Sequence, residues 1–78
     1  MVADKKVINQ ARYAKYAKIR DSLGYSDARV ASETGVFQST LSAWKSGEYT
    51  PSFGNVMKIA TFLNVSPSEF EVVQEEGE

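Results

Sequence analysis

Cysteine and histidine are both absent from this 78-residue chain. Without cysteine there is no disulfide framework and no zinc site built on thiolates. Without histidine there is no Ser-His dyad, no imidazole general base and no imidazole ligand for a metal. A glycine-rich phosphate-binding loop is also missing, and the carboxylates are scattered along the chain. We therefore expect neither an enzyme nor a cofactor, a metal or a small-molecule substrate.

Long apolar runs are missing as well. No stretch approaches the roughly 18 residues that a membrane-spanning helix needs, and residues 1–6 (MVADKK) lack the long apolar segment of a signal peptide. These absences predict a soluble, cytoplasmic protein without a membrane partner. At 78 residues the chain fits one domain, whose small core gains from compact helical packing or from oligomerisation.

Charge is unevenly distributed along the chain. The formal net charge is −1, but five of the ten acidic residues fall in residues 69–78. Without those five, residues 1–68 carry nine basic and five acidic side chains, a net charge of +4. The acidic segment is either a solvated terminus or a segment that tunes DNA affinity or contacts a partner.

Apart from Gly54, the glycines and prolines divide the chain into five helix-length pieces, predicted at 8–23, 27–34, 38–46, 53–63 and from 67 through 73. Ser26, Ser52 and Ser66 are good N-caps, and Pro67 suits a first helical position. The sequence therefore predicts an all-α, compact five-helix domain over residues 8–74, between a flexible N-terminus (1–7) and an acidic flexible tail (75–78). The predicted core residues are Leu41, Trp44, Ile59, Leu63 and Phe70.

The second and third predicted helices have the spacing of a helix-turn-helix. Counted from Asp27 as position 1, the small residue Ala31 stands at position 5 and Gly35 at position 9. A small residue lets the two helices approach, and glycine adopts the left-handed turn at low cost. The apolar residues that fill the angle between the helices are Val30, Val36, Leu41 and Trp44. Thr34 departs mildly from the pattern, because an aliphatic residue is usual at position 8.

Over residues 16–70 the chain resembles the helix-turn-helix family of phage repressors, which includes Cro, the lambda repressor and the xenobiotic-response-element-type regulators. The resemblance rests on Ile19-Arg20, Gly24-Tyr25-Ser26, Val30-Ala31, Gly35-Val36, Gln38-Ser39-Thr40-Leu41-Ser42-Ala43-Trp44, Gly47, Pro51-Ser52 and Ile59-Ala60-Thr61-Phe62-Leu63-Asn64-Val65-Ser66. It implies a lambda-repressor-like fold and a sequence-specific transcription regulator, a repressor of phage or mobile-element type, that binds double-stranded DNA.

The resemblance also implies that the start of the third helix, at Gln38, reads base edges in the major groove. Independently, a glutamine amide can pair with adenine through two hydrogen bonds, and serine is a less selective partner. Ser39 and Ser42 should face the same side as Gln38. Thr40 and Ala43 lie at the edges of that face, where either could touch a thymine methyl group.

Groups that flank this helix are the candidates for phosphate contacts, which orient the protein without reading sequence. Helix N-termini attract phosphate through their free N–H groups. The candidates are Ser26 and Asp27, then Lys45, Ser46, Tyr49 and Thr50, and finally Asn55 near the start of the fourth helix.

Four residues depart from the family pattern. Several members pair the arginine at the position of Arg20 with an acid where this chain has Lys45, so Arg20 needs another acceptor. Asp27 replaces a usual glutamine and is expected to repel a nearby phosphate. Glu48 stands where Lys or Arg is common, and Phe37 stands where a small polar residue is usual. These departures weaken the electrostatic attraction to DNA.

We therefore expect modest affinity from a monomer, and a homodimer on a palindromic operator. The fifth predicted helix, with Phe70, Val72 and Val73, is the candidate dimer surface unless Phe70 belongs to the core. The alternative function is a protein-interaction module on the same fold, such as an antirepressor or an antitoxin-like partner, favoured by Asp27, Glu48 and Phe37.

Overall fold

Four α-helices and one 3₁₀ turn follow one another along residues 4–72, the part of the chain that the computed structural model describes. The helices are α1 (Lys5–Ser22), α2 (Asp27–Thr34), α3 (Gln38–Ser46) and α4 (Phe53–Leu63), and the 3₁₀ turn covers Pro67–Phe70. The predicted all-α class is confirmed over these residues. The predicted count of five helices is wrong, because the fifth element is a 3₁₀ turn of four residues.

Helix α1 begins earlier than the sequence predicted. The Asp4 carboxylate accepts a hydrogen bond from the Lys6 backbone N–H at 2.9 Å and caps the first turn. Residues 5–7, predicted to be part of a flexible N-terminus, are therefore helical. The helix ends at Ser22, and the following Leu23 is 49% exposed.

Helices α2, α3 and α4 have the bounds that the sequence predicted, because their ends are set by local signals. The side chains of Ser26 and Ser52 accept hydrogen bonds from backbone N–H groups three residues ahead, as N-caps do. Left-handed residues end all three helices, namely Gly35, Gly47 and Asn64.

The last element is shorter than the predicted fifth helix. Ser66 caps it by accepting from the Ser68 N–H, and Pro67 takes the first position. Glu71 then turns left-handed, with φ of 62°, and stops the chain from continuing as a helix. Phe70 and Val72 are both buried, so they cannot form the predicted dimer surface, and Val73 lies outside the described residues.

Trp44 lies at the centre of the core and is fully buried. Its indole stacks on Tyr16 of α1, with ring centroids 5.1 Å apart, and meets Phe70 edge-on at 6.2 Å. Its buried indole N–H has no hydrogen-bond acceptor among residues 4–72. The aromatic cluster joins α1, α3 and the 3₁₀ turn, and so fixes the orientation of α3. The other fully buried large side chains are Leu41, Ile59, Val30 and Val56.

Candidate nucleic-acid interface

The turn between α2 and α3 is built as the spacing predicted. Gly35 has φ of 80°, in the left-handed region, and Val36 is buried behind it. Thr34 has a specific role here: its hydroxyl donates to the Val30 carbonyl at 2.7 Å and accepts from the Val36 N–H at 3.2 Å. The unexpected hydroxyl therefore ties the end of α2 to the turn, which an aliphatic side chain could not do.

Helix α3 has a buried side and an exposed polar side. Leu41 and Trp44 are fully buried. Gln38, Ser39 and Ser42 are exposed, while Thr40 and Ala43 at the edges are half-buried. Phe37, the residue before the first residue of α3, makes no side-chain capping hydrogen bond to the first N–H groups of the helix. The five residues predicted to read bases therefore occupy the solvent-facing and edge positions of one short helix.

Comparison with known protein families shows to which family these two helices and their turn belong. The family model described as helix-turn-helix matches residues 17–70, more than half of the chain. The chain belongs to this family. Its members are DNA-binding domains rather than enzymes, of the Cro and phage-repressor type that the resemblance indicated. Neither a curated protein nor a solved structure gives a significant match to the chain.

In this helix-turn-helix domain Arg20 donates to two acids, the exposed neighbour Asp21 and the partly buried Asp27. The guanidinium Nη1 donates to Asp27 Oδ1 at 2.6 Å, and two tyrosines of α1 donate to the same carboxylate. The Tyr13 hydroxyl reaches Oδ2 at 2.6 Å, and the Tyr16 hydroxyl reaches Oδ1 at 2.7 Å. The expectation that Asp27 repels a nearby phosphate is therefore corrected, because its charge is paired and faces α1.

This network shifts the ionisation of its members. Burial alone would raise the pKa of Asp27, but the hydrogen bonds from Tyr13, Tyr16 and Arg20 outweigh burial and lower it below 3.8. Burial and the neighbouring carboxylate both raise the pKa of the Tyr16 hydroxyl well above 10.0. Burial would lower the pKa of Arg20, whereas hydrogen bonds to Asp21 and Asp27 raise that pKa above its ordinary value. The carboxylate and the guanidinium are thus both charged at neutral pH.

The loop between α3 and α4 (residues 47–52, the α3–α4 loop) carries two of the predicted phosphate contacts, Tyr49 and Thr50. Tyr49 is exposed. The Thr50 hydroxyl is engaged, because it donates to Asn9 Oδ1 at 2.7 Å and accepts from Arg12 Nη1 at 3.2 Å. Asn9 also donates to the Gly47 carbonyl at 3.0 Å.

The first half of α1 therefore supports the end of α3 and the α3–α4 loop. Sequence reasoning missed Asn9 and Arg12, because their partners lie 38 and 41 residues away along the chain. Asp4, a good N-cap residue, was a local signal that could have moved the predicted start of α1 from residue 8 to residue 5, but it does not indicate the distant partners of Asn9 and Arg12.

The remaining predicted contacts belong to α3 itself and to the starts of α2 and α4. Lys45 and Ser46 are exposed near its end, and the Ser46 hydroxyl bonds to the Ala43 carbonyl and to Glu48. Ser26 is exposed at the start of α2, and Asn55 is half-buried in the first turn of α4. Phe37, which stands where the family usually has a small polar residue, has 78% of its surface accessible.

Metal sites and membrane spans were both predicted to be absent. Within residues 4–72 no helix combines the length and the apolar character that crossing a membrane requires. The same residues bring no three acidic side chains together in a way that could hold a metal ion.

Proposed function

We propose that this protein is a sequence-specific transcription regulator that reads the major groove of double-stranded DNA with α3, and that it acts as a repressor of phage or mobile-element type. The observation that carries the proposal is the exposed polar row of Gln38, Ser39 and Ser42 on a helix whose opposite side is anchored in the core. A rigid helix with short polar side chains fits the width of the major groove.

The chemistry of this row favours base reading. The Gln38 amide can donate to N7 and accept from the N6 amino group of adenine, which distinguishes adenine from the other bases. Ser39 and Ser42 can donate or accept, and so add contacts with less discrimination. The edge residues Thr40 and Ala43 offer methyl groups to thymine.

Contacts with the DNA backbone come, in this proposal, from residues on both sides of α3. Ser26 and Asn55 stand near the N-termini of α2 and α4, where free N–H groups favour phosphate. Lys45, Ser46, Tyr49 and the backbone N–H of Thr50 provide contacts on the other side, since the Thr50 hydroxyl is already engaged with Asn9 and Arg12. Since Asp27 is paired with Arg20, it opposes these contacts less than its formal charge suggests.

Selection of binding sites from a random duplex pool, at two salt concentrations, tests the proposal directly. A regulator of this kind should enrich one sequence with two-fold symmetry and lose affinity steeply between about 50 and 200 mM salt. Failure to enrich any sequence at either concentration would overturn sequence-specific recognition.

Gln38→Ala tests the helix that reads the bases. We expect the substitution to weaken binding to the selected site by roughly 1–3 kcal/mol and to relax the preference at one base pair, because it removes a bidentate contact. Thr61→Ala, at an exposed position near the end of α4, is the matched control. It should leave the affinity for the selected site and the base preference unchanged. Equal preference of the Gln38 variant and the wild type at every base pair would exclude Gln38 from base reading.

Phe37 supports a second candidate, a protein-interaction module on the same fold. A phenylalanine with 78% of its surface exposed at the start of α3 is typical of a contact surface for another protein. Glu48, exposed beyond the other end of α3, also favours a protein partner over DNA. Binding through such an apolar contact would respond weakly to salt and would be lost in Phe37→Ala, whereas DNA binding through phosphates would respond strongly.

A further inference from the structure

We propose that Arg12 of α1, assisted by Lys5, binds a phosphate group of the DNA backbone in the cleft between α1 and the α3–α4 loop. The inference rests on the proposed DNA-binding function and adds a contact to it. Both residues precede the segment matched by the family model, which begins at residue 17. They lie in the first half of α1, which the structure places beside the end of α3.

The cleft has a volume of about 420 Å³ and a mixed polar lining. One wall is the first two turns of α1, and the other is the α3–α4 loop. Its lining residues are Lys5, Ile8, Asn9, Arg12, Glu48, Tyr49 and Thr50. Tyr49 and Thr50 are proposed phosphate contacts, so a phosphate beside them lies within reach of a long side chain from α1.

Arg12 is a cation that has no acidic partner in the structure from residue 4 to residue 72. The ion pairs there involve Lys15, Arg20 and Arg29, and none involves Arg12. Its side chain is half-buried, and its one hydrogen bond within this segment goes to the Thr50 hydroxyl. A guanidinium has five N–H donors in a fork that matches phosphate, so most of its donors remain for a ligand.

The hydrogen bonds around Arg12 hold it at the cleft. The Thr50 hydroxyl gives its proton to Asn9, so its lone pair points to the guanidinium. Asn9 in turn is fixed by donating to the Gly47 carbonyl. An arginine held in this way loses less side-chain entropy when it binds a phosphate than a free surface lysine does.

Glu48 lines the same cleft and opposes an anion there. Its carboxylate accepts from the Ser46 hydroxyl at 3.2 Å, beyond the last turn of α3. The phosphate bound by Arg12 is therefore attracted by two cations and repelled by one carboxylate. Removing one of the two cations should therefore lower DNA affinity, whereas removing the Glu48 carboxylate should raise it.

The test measures the salt dependence of binding to a labelled 20-base-pair duplex of arbitrary sequence by fluorescence anisotropy between 50 and 200 mM KCl. Phosphate contacts do not depend on base sequence, so the operator is not needed. Arg12→Gln should lower the slope of log affinity against log salt by about 0.9, because one fewer phosphate is neutralised. Its affinity deficit relative to wild type should then shrink about 3.5-fold across this range.

Lys18→Gln is the matched control, since it removes one exposed charge from the same helix outside the cleft. It should leave the slope at the wild-type value. Arg12→Lys keeps the positive charge and should therefore keep the wild-type slope. A lower slope in Arg12→Gln alone would then be due to the lost charge and not to a loss of folding. Glu48→Gln should bind the duplex several-fold more tightly than wild type.

Two results would overturn the inference. If wild type binds with a steep salt slope and Arg12→Gln has the same slope, DNA binding stands and Arg12 acts only by supporting the α3–α4 loop. If wild type shows no salt-dependent binding to any duplex, the proposed function fails, and the phosphate contact at Arg12 fails with it.

Discussion

At the scale of single residues, Asp27 determines how the helix-turn-helix is attached to α1. It stands at the first position of α2, where a carboxylate is favoured by the helix dipole. The same carboxylate accepts hydrogen bonds from Tyr13, Tyr16 and Arg20, all on one face of α1. A residue that the family pattern would assign to the DNA side is thus part of the internal structure of this domain.

Asp27→Asn should lower the free energy of unfolding by roughly 1–3 kcal/mol, because it removes the charge that pairs with Arg20 in a partly buried site. The measurement is urea denaturation at pH 7. Asp21→Asn is a matched control, since Asp21 contacts the same guanidinium at 2.8 Å but its side chain is 69% exposed. The control should change stability by less than about 0.5 kcal/mol. Equal effects of the two substitutions would contradict the role of Asp27.

The same network predicts a pH dependence. The pKa of Asp27 is lower in the folded protein than its ordinary value of 3.8, so the unfolded state takes up a proton first as the pH falls. The stability that Asp27 contributes is therefore present above about pH 4 and is lost as the pH falls further. We expect the stability difference between wild type and Asp27→Asn to shrink from pH 5 to pH 2. A constant difference over that range would show that Asp27 has an unshifted pKa.

At the scale of elements, the most specific contact is the crossing of α1 over the end of α3. Gly47 has φ of 89°, and its backbone lies against the first turns of α1. A Cβ atom at Gly47 would come within 2.5 Å of Lys6 Cγ and 2.9 Å of the Lys6 carbonyl oxygen. Glycine is therefore required there for two reasons, the left-handed conformation and the close approach of α1.

Gly47→Ala should destabilise the domain more than Gly35→Ala does. Both positions have a positive φ, which costs alanine roughly 1 kcal/mol. Only at Gly47 would an added Cβ also clash with neighbouring atoms, since a Cβ at Gly35 meets nothing within 4 Å. The difference between the two variants in thermal denaturation therefore measures the close contact between α1 and α3. Equal melting temperatures would show that α1 moves aside at little cost.

At the scale of the whole molecule, the distribution of charge limits DNA affinity. Residues 1–68 carry a net charge of +4, but the exposed carboxylate of Glu48 lies just beyond the end of α3, next in the chain to the proposed phosphate contacts. One domain of this size covers one half-site. Two copies on a palindromic operator would double the number of phosphate contacts, which favours the proposed homodimer. Because Phe70 and Val72 are buried, any surface that would join two copies must use other residues.

A spacing change in the selected operator tests the homodimer. Half-sites of two-fold dimers lie about one helical turn apart, and five extra base pairs between them turn one half-site to the opposite side of the duplex. We expect this insertion to abolish the complex with two proteins and to reduce affinity to that of a single half-site. The same five base pairs placed outside the half-sites are the control. An unchanged two-protein complex in a band-shift experiment would argue for independent monomers.

The sequence by itself determined the helix-turn-helix. The bounds of α2, α3 and α4 follow from serine caps and left-handed glycine or asparagine ends, which act within a few residues of each helix end. Burial of Leu41 and Trp44 and exposure of Gln38 follow from helical periodicity in the same way. The contacts of Gln38 with DNA remain a prediction.

Only the tertiary structure decided which charges are paired and which parts of the domain α1 contacts. Tyr13 and Asp27, which share a hydrogen bond, are 14 residues apart along the chain, and Arg12 and Thr50 are 38 residues apart. No local signal encodes such pairs, because they depend on how the packing of Tyr16 against Trp44 orients α1 over α3. That packing paired Asp27 with Arg20, left Arg12 without an acid among residues 4–72, and held it beside the α3–α4 loop.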